Sequence, residues 1–283
     1  MLRASTFLVA FLTGTAAMAQ SNSSVPVDSA RYTLFKPTPR DQLRKLHPDR
    51  PGITQSAYTI NPGHFQLETN LMRLRKGRED GGPRHRELLL NHAVLKMGVT
   101  ERMDVQVKVE SYSVEKEWPD DAAGPERHTG FGDVSVRVKR NLFGDDSGNW
   151  ALAVSGYVTL PTGAAVGRGG LEGGLSIPVE YKIGEGTGLS MQVQGDIEND
   201  RETNSHYFAL QPAATINHDF TKFLGSYAEV MSHWNAHTGR WRHLLNLGPE
   251  FTLSENVQFD MGAGIPLNAQ TDREFFIGFT YRR

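Results

Sequence analysis

From Gly63 to its end, the sequence alternates apolar and polar residues with a period of two, in segments of ten to thirteen residues. This period places successive side chains on opposite faces of a β-strand. The clearest segments are 102–113, 131–142, 171–183, 188–197, 257–266 and 273–283, and weaker ones are 63–74, 87–98, 150–160, 206–217, 223–234 and 243–253. The pattern predicts an all-β chain of about twelve strands, and no helical period of comparable length interrupts it.

The connections between these segments alternate in length. Short breaks occupy 98–102, 144–148, 184–188, 219–222 and 254–256, and the longer ones are 76–86, 114–129, 161–170, 198–205, 235–241 and 268–272. Outer-membrane barrels have short periplasmic turns and longer external loops. Because an even number of strands returns the chain to the side from which it started, we expect both termini in the periplasm.

Strand length separates the two folds that this pattern allows. Strands of about this length cross a bilayer when they are tilted, whereas the strands of a secreted β-sandwich average five or six residues. Aromatic residues near the strand ends are typical of interfacial girdles; they are Trp150, Tyr157, Tyr181, Tyr207, Trp234, Trp241 and Tyr281. The sequence therefore favours an antiparallel transmembrane β-barrel, with a β-sandwich as the alternative.

The residues before the strands have a different character. Arg3, the apolar run Phe7–Leu12 and the small residues Ala17–Ala19 form the pattern of a secretory signal peptide. We expect residues 1–19 to be removed on export. Residues 20–62, which are rich in Ser, Pro and charge, are predicted to form an irregular periplasmic segment, and residues 63–283 the barrel.

Composition excludes several classes of site. The chain has no cysteine, which excludes disulfides, a lipid-anchored N-terminus and zinc sites of the cysteine type. Loss of Arg3 with the leader changes the formal charge only from −2 to about −3, and no basic block indicates a nucleic-acid partner. The expected partners are outer-membrane lipids, the barrel-assembly machinery and an unidentified small solute. No cofactor is expected.

Ten histidines raise the question of a metal site. Neither H-x-H nor H-E-x-x-H spacing occurs among those in the last third of the chain, which are His206, His218, His233, His237 and His243. We expect these residues in loops or on the surface, and no metal site.

Polar faces of the predicted strands carry charges that cannot face hydrocarbon. A lipid-facing Arg or Lys at the bilayer midplane costs about 2–4 kcal/mol, so these side chains must line water or pair. The lumen-lining candidates are Glu68, Lys108, Glu110, Arg137, Lys139, Glu180, Lys182, Asp196, Glu229, Glu250 and Asp260. Two interpretations stay open: a mixed-charge constriction that selects small polar or amphipathic solutes, or ion pairs that only brace the wall.

Three motifs resemble a known family. The stretch 47–70 contains a D-R-P-x-x-T-x-S segment followed by a G-x-x-Q-x-E strand, and two further motifs follow at 130–134 and 160–163. The sequence resembles a family of outer-membrane transporters named for the meta-pathway of phenol degradation, which implies an outer-membrane barrel. The motif residues are Asp49, Arg50, Pro51, Gln66, Glu68, Gly132, Asp133, Pro161, Thr162 and Gly163.

The chain departs from that family at two places. Gly52 stands where the family usually has an acid, and Arg283 ends the chain where an aromatic residue is usual, although Phe276, Gly278 and Tyr281 resemble a barrel-assembly signal. We expect the segment around Arg50 either to fold against the periplasmic mouth, with Arg50 paired to a lumen acid such as Glu68, or to be a disordered tail.

Three classes of function are compatible with this sequence. The leading one is passive or facilitated transport of small solutes across the outer membrane, with aromatic or hydrophobic compounds among the candidates. A structural or adhesive barrel would bind partners through the predicted loop 114–129, which contains Trp118. An outer-membrane lipid hydrolase would need an outward Ser beside an outward His; Ser232 points outward, but His233 points inward, and we expect no outward His beside it.

Overall fold

A single antiparallel sheet closes on itself in the computed structural model, which describes residues 31–78, 83–119, 124–145, 148–201 and 203–283. The predicted signal peptide lies outside these residues. The strands are β1 Phe65–Arg78, β2 Arg84–Thr100, β3 Met103–Val109, β4 Tyr112–Trp118, β5 Glu126–Gly130, β6 Val134–Phe143, β7 Trp150–Leu160, β8 Glu172–Gly184, β9 Thr187–Asp200, β10 Ser205–Asp219, β11 Leu224–Asn235, β12 Arg240–Ser254, β13 Val257–Pro266 and β14 Arg273–Arg282. β1 pairs with both β2 and β14, which closes the barrel.

The wall has twelve strands, of which ten are single elements and two are each formed by a pair of elements. β3 and β4 pair with the two halves of β2, so they form one wall strand that is interrupted at Glu110 and Ser111. β6 pairs with β3 and β5 pairs with β4, so β5 and β6 form the next wall strand, which is interrupted at 131–133. The prediction of a barrel with about twelve strands is confirmed, and the β-sandwich alternative is wrong.

The predicted loop 114–129 is not irregular. It contains most of β4 and of β5, which pair as a hairpin from Ser113↔Gly130 to Glu117↔Glu126. The sequence does not reveal this hairpin because both of its faces carry polar residues, which interrupts the apolar alternation by which strands are recognised.

Burial in the wall is the reverse of that in a soluble protein. On β6 the buried residues are polar, such as Lys139 and Asn141, each 1% exposed, whereas Val136 and Val138 are 42% and 44% exposed. An apolar outer face and a polar interior are what a strand needs between lipid and a lumen. The alternation of the sequence thus gives each strand its orientation directly.

Residues 31–64 precede the barrel and have little regular structure. Their one helical element among the described residues is a 3₁₀ turn at Arg40–Gln42. Most residues of the stretch 55–61 are nonetheless buried, and Ala57 and Tyr58 join Ala151 and Ala153 of β7 in a small apolar cluster. None of the helices in the described residues is long and apolar enough to cross a membrane.

Candidate functional site

The interior of the barrel holds residues 44–61, which we call the N-terminal plug. Its members contact strands on all sides of the wall: β13 and β1 through Arg50, β11 through Thr54, β9 through Gln55, β8 through Ser56 and β3 through Ile60. A segment that reaches strands all around a closed sheet must lie inside it. Inward-facing charges of the wall therefore bind the chain's own N-terminal segment.

Asp49 is the centre of a buried charge cluster. Its carboxylate lies 2.7 Å from Lys139 Nζ and 2.6 Å from Lys96 Nζ, and it accepts the amide of Ser56 at 2.7 Å. Lys96 also contacts Glu68, whose carboxylate accepts the Asp49 amide at 3.1 Å. Two cations and two carboxylates thus balance each other where water is scarce, as buried charges require.

Arg50 anchors the plug to β13 and β1. Its Nε and Nη2 donate to the two carboxylate oxygens of Asp260 at 3.0 and 2.6 Å, and Nη1 donates to Asn70 Oδ1 at 2.9 Å. This is the bidentate geometry that a guanidinium forms with a carboxylate. Arg50 thus pairs with one of the predicted lumen acids, Asp260, rather than with the example Glu68, which lies beside Lys96 and the Asp49 amide.

Glu229 on β11 binds the main chain of the plug. It accepts the amides of Ile53 and Thr54 at 2.9 and 2.8 Å and the Thr54 hydroxyl at 2.7 Å. A Cβ at Gly52 would collide with the Glu229 carboxylate. Glycine in place of the family's usual acid therefore avoids both a collision and a repulsion between two carboxylates.

Other carboxylates also accept hydrogen bonds from the plug. Glu180 accepts the Ser56 hydroxyl at 2.7 Å and the Ala57 amide at 2.8 Å. Asp145 accepts the Thr59 amide at 3.1 Å and also pairs with Arg44. Glu180 and Asp145 thus bind plug amides that have no partner in a β-ladder, which satisfies buried main-chain groups in an irregular segment.

The eleven predicted lumen positions fall into three groups. Five bind the plug: Glu68, Lys139, Glu180, Glu229 and Asp260. Four line a cavity: Lys108, Glu110, Arg137 and Asp196. Of the remaining two, Lys182 lies 5.7 Å from the Tyr58 ring and Glu250 accepts a hydrogen bond from Gln258.

The cavity occupies about 260 Å³. It is walled largely by polar side chains, and sequence reasoning missed most of them: Gln106, Ser135, Tyr157, Thr159, Arg168, Glu172, Gln194, Glu198 and Gln211. Several share strand parity with the predicted positions, such as Gln106 with Lys108 on β3, so uncharged inward residues could have been found by extending the same period. Arg168 lies in a loop and carries no such signal.

Two motif regions meet at the rim of this cavity. Asp133 accepts the amides of Gly163 and Arg168 at 2.8 and 2.6 Å, and Val134 donates its amide to Thr162 Oγ1 at 3.1 Å. The loop 161–170, which Pro161 opens, is thereby fastened to the interruption between β5 and β6. The Gly132-Asp133 motif and the Pro161–Gly163 motif, which are separate in the sequence, are therefore in direct contact in the fold.

One pair on the outer face differs from the expectation. Ser232 Oγ lies 2.7 Å from His243 Nδ1, since the two residues are register partners on β11 and β12. The expectation that no outward His accompanies Ser232 is therefore wrong. His243 stacks on Trp241, and within the described ranges no carboxylate or amide binds its other ring nitrogen, so the pair lacks the third group that orients a catalytic histidine.

The inward orientation of His233 agrees with its contact to Glu198 Oε1 at 3.0 Å. The described part of the chain contains no group of three or more His, Cys, Asp or Glu side chains that could hold a metal ion.

A comparison of the sequence with protein families gives one match, to the model for the "Putative MetA-pathway of phenol degradation", over residues 48–282. The chain belongs to this phenol-degradation family. The match begins within the plug and ends with β14, so it includes the Asp49-Arg50-Pro51 motif as well as the whole wall. No curated protein matches the sequence significantly.

Solved structures place this family member among outer-membrane barrels. The COG4313 outer membrane channel from Pseudomonas putida F1 aligns with a TM-score of 0.53 at 12% identity, over 78% of this chain and 93% of that one. The translocator domain of autotransporter NalP from Neisseria meningitidis aligns with a TM-score of 0.50 at 9% identity, over 83% and 91% of the two chains. The family member shares the outer-membrane β-barrel fold with both.

Proposed function

We propose that the chain is an outer-membrane channel for small solutes whose lumen is closed by its own N-terminal plug. The observation that carries this proposal is the set of wall charges bound to residues 49–60 beneath a polar cavity. Structural bracing alone needs only wall-to-wall ion pairs, whereas here the carboxylates of Glu229, Glu180 and Asp260 bind a segment that is separate from the wall.

The position of the chain ends supports a periplasmic origin of the plug. Phe65 and Arg283 exchange two main-chain hydrogen bonds, of 2.9 and 2.8 Å, so the first and last wall strands begin and end at the same rim. We propose that this rim is periplasmic, because exported barrels keep short turns on that side. The plug then enters the lumen from the periplasm and the cavity lies above it.

The lining of the cavity favours polar or amphipathic solutes over hydrocarbons. Its walls carry hydroxyls, amides and charges of both signs, and Tyr157 and Val94 supply the apolar surface. Selectivity in such a lumen depends on pore width and on the donors and acceptors that line it. Passage requires the plug to move aside, since its side chains reach opposite walls.

Planar-bilayer recording of the mature chain tests this proposal. We expect discrete current steps, and Arg50→Gln should raise the open probability, because it removes the bidentate anchor to Asp260. Arg127→Gln on β5 is the matched control, since Arg127 is exposed and lies outside the plug contacts. Folded barrels, verified by faster migration of unheated samples on a gel, that give no steps in either variant or in the unaltered chain would contradict the proposal.

A further inference from the structure

The cavity contains a cation that forms no ion pair with a described residue. The Nε atom of Arg137 is buried and has no hydrogen-bond partner, and its guanidinium forms no ion pair with any described residue. A buried hydrogen-bond donor without a partner costs free energy, so such groups are almost always paired. Arg137 therefore carries a donor in the cavity that its own protein leaves unsatisfied.

The acids around the cavity are already engaged. Asp196 accepts the Tyr157 hydroxyl at 2.7 Å, Glu198 binds Tyr207 and His233, Glu110 pairs with Lys108 at 2.8 Å, and Glu172 accepts the amide of Asn199. None of these four carboxylates binds Arg137. Arg137 therefore still needs an anion as its partner.

Tyr157 shapes the space beside Arg137. The guanidinium carbon lies 5.5 Å from the centre of the Tyr157 ring, and the hydrogen bond to Asp196 holds the ring in place. Gly174 lies opposite Tyr157 on β8, and a Cβ there would collide with both the ring and the Asp196 carboxylate. The ring therefore occupies a fixed position, and a cation beside an aromatic face is preorganised.

The neighbouring cation of β6 shows what this position accepts. Lys139, two residues along the strand on the same face, binds the carboxylate of Asp49 from the plug. The two positions are about 7 Å apart along the strand. Lys139 is thus paired with a carboxylate of the plug, whereas Arg137 faces the cavity.

We propose that Arg137, with Tyr157 as an aromatic wall, binds the carboxylate of a small organic acid. This inference rests on the proposed channel function and names the class of solute. A guanidinium presents two parallel donors to a carboxylate, so the site selects organic anions over neutral molecules of the same shape. An acid bound at Arg137 lies two residues along β6 from Lys139. It can bind Lys139 in turn when the plug moves and Asp49 leaves that lysine.

Calorimetric titration of the detergent-solubilised mature chain with sodium benzoate tests the site directly. Benzyl alcohol, which is close in shape but uncharged, is the comparison ligand. We expect benzoate to bind at least tenfold more tightly than benzyl alcohol, and Arg137→Gln to weaken benzoate binding at least tenfold. Arg127→Gln should leave it unchanged, and Arg137→Lys, which keeps the charge without the bidentate donors, should fall between.

The outcomes separate this inference from the channel itself. Equal binding of benzoate and benzyl alcohol, or unchanged benzoate binding in a folded Arg137→Gln protein, would overturn the carboxylate site and leave the channel intact. If Arg137→Gln does not fold, the Arg137→Lys protein decides, because benzoate binding equal to that of the unaltered chain would also overturn the site. Absence of current steps in bilayers would instead count against the proposed function.

Discussion

Asp49 Oδ1 of the plug lies 2.7 Å from Lys139 Nζ of β6, and the two side chains are 9% and 1% exposed. Asp49→Asn removes the negative charge between Lys139 and Lys96, and breaking a buried ion pair costs about 3–5 kcal/mol. We expect the plug to be released more often, so trypsin should cleave after Arg44 or Lys45 at least a hundredfold faster. Asp41→Asn in the exposed 3₁₀ turn is the control, and equal cleavage rates in both variants would refute the role of Asp49.

Gly278 on β14 leaves room for the guanidinium of Arg50. A Cβ there would collide with Arg50 Nη2 and with the main-chain oxygen of Thr69. Gly278→Ala should therefore break the Arg50–Asp260 pair and release the plug, so that trypsin cleaves faster after Arg44 and Lys45. Gly184→Ala is the matched control, because a Cβ at Gly184 meets no atom within 4 Å. A Gly278→Ala barrel that resists trypsin as well as the control would show that this space is not needed.

Acid should weaken the docking of the plug through His47, which stacks on Tyr58 with ring centres 4.0 Å apart. Burial, and then the nearby charges of Lys45, Lys182, Arg44 and Arg282, lower the pKa of His47 to about 3. The docked state keeps this ring neutral, whereas a released plug takes up a proton near pH 6.5. Docking is therefore strongest above pH 6.5 and weakens by at most about tenfold per pH unit as the pH falls below it.

Open probability in bilayers at pH 7 and pH 5 measures this effect. Although burial raises it, the charges of Lys139 and Lys96 hold the pKa of Asp49 below its ordinary range, so Asp49 does not titrate in this window. The open probability of the unaltered channel should rise at pH 5, and His47→Phe, which keeps the ring stacking, should flatten the response. The same rise in the His47→Phe variant would assign the pH dependence to other groups.

The loop 161–170 depends on Asp133. Two amides of the loop donate to its carboxylate, and hydrogen bonds to a charged group contribute about 1.5–3 kcal/mol each. Asp133→Ala should free the loop and speed trypsin cleavage after Arg168 by tenfold or more. Glu126→Ala, an exposed carboxylate on β5, should not change that rate, and a loop that stays resistant without Asp133 would contradict the anchor.

The wall could be predicted from the sequence because the alternation of apolar and polar residues within each strand shows which face points outward. The period of two identifies β6 and β13 without any knowledge of their neighbours. It fails where alternation is broken: a bulge between Asn70 and Met72 shifts the inward face of β1 from Glu68 and Asn70 to Arg73. The β4–β5 hairpin was missed for a related reason, since both faces are polar.

The plug could not be predicted in its contacts. Its main chain has no period, and its partners lie far along the chain, as in the pair Arg50 and Asp260, which are separated by 210 residues. The sequence indicates that Arg50 and the wall acids need partners, but it does not distinguish which of several acids pairs with Arg50. Choosing Asp260 over Glu68 requires the closed barrel, because only closure brings β13 and β1 together around one guanidinium.

A reversible covalent lock on the plug tests the central claim most directly. Thr54 Oγ1 of the plug lies 2.9 Å from Thr215 Oγ1 of β10, and the described chain has no free cysteine to interfere. In the double variant Thr54→Cys, Thr215→Cys, we expect a disulfide that suppresses bilayer current and a return of current when a reductant is added. Each single variant should conduct with or without the reductant. Equal current from the oxidised and reduced double variant would contradict a plug that must move for solutes to pass.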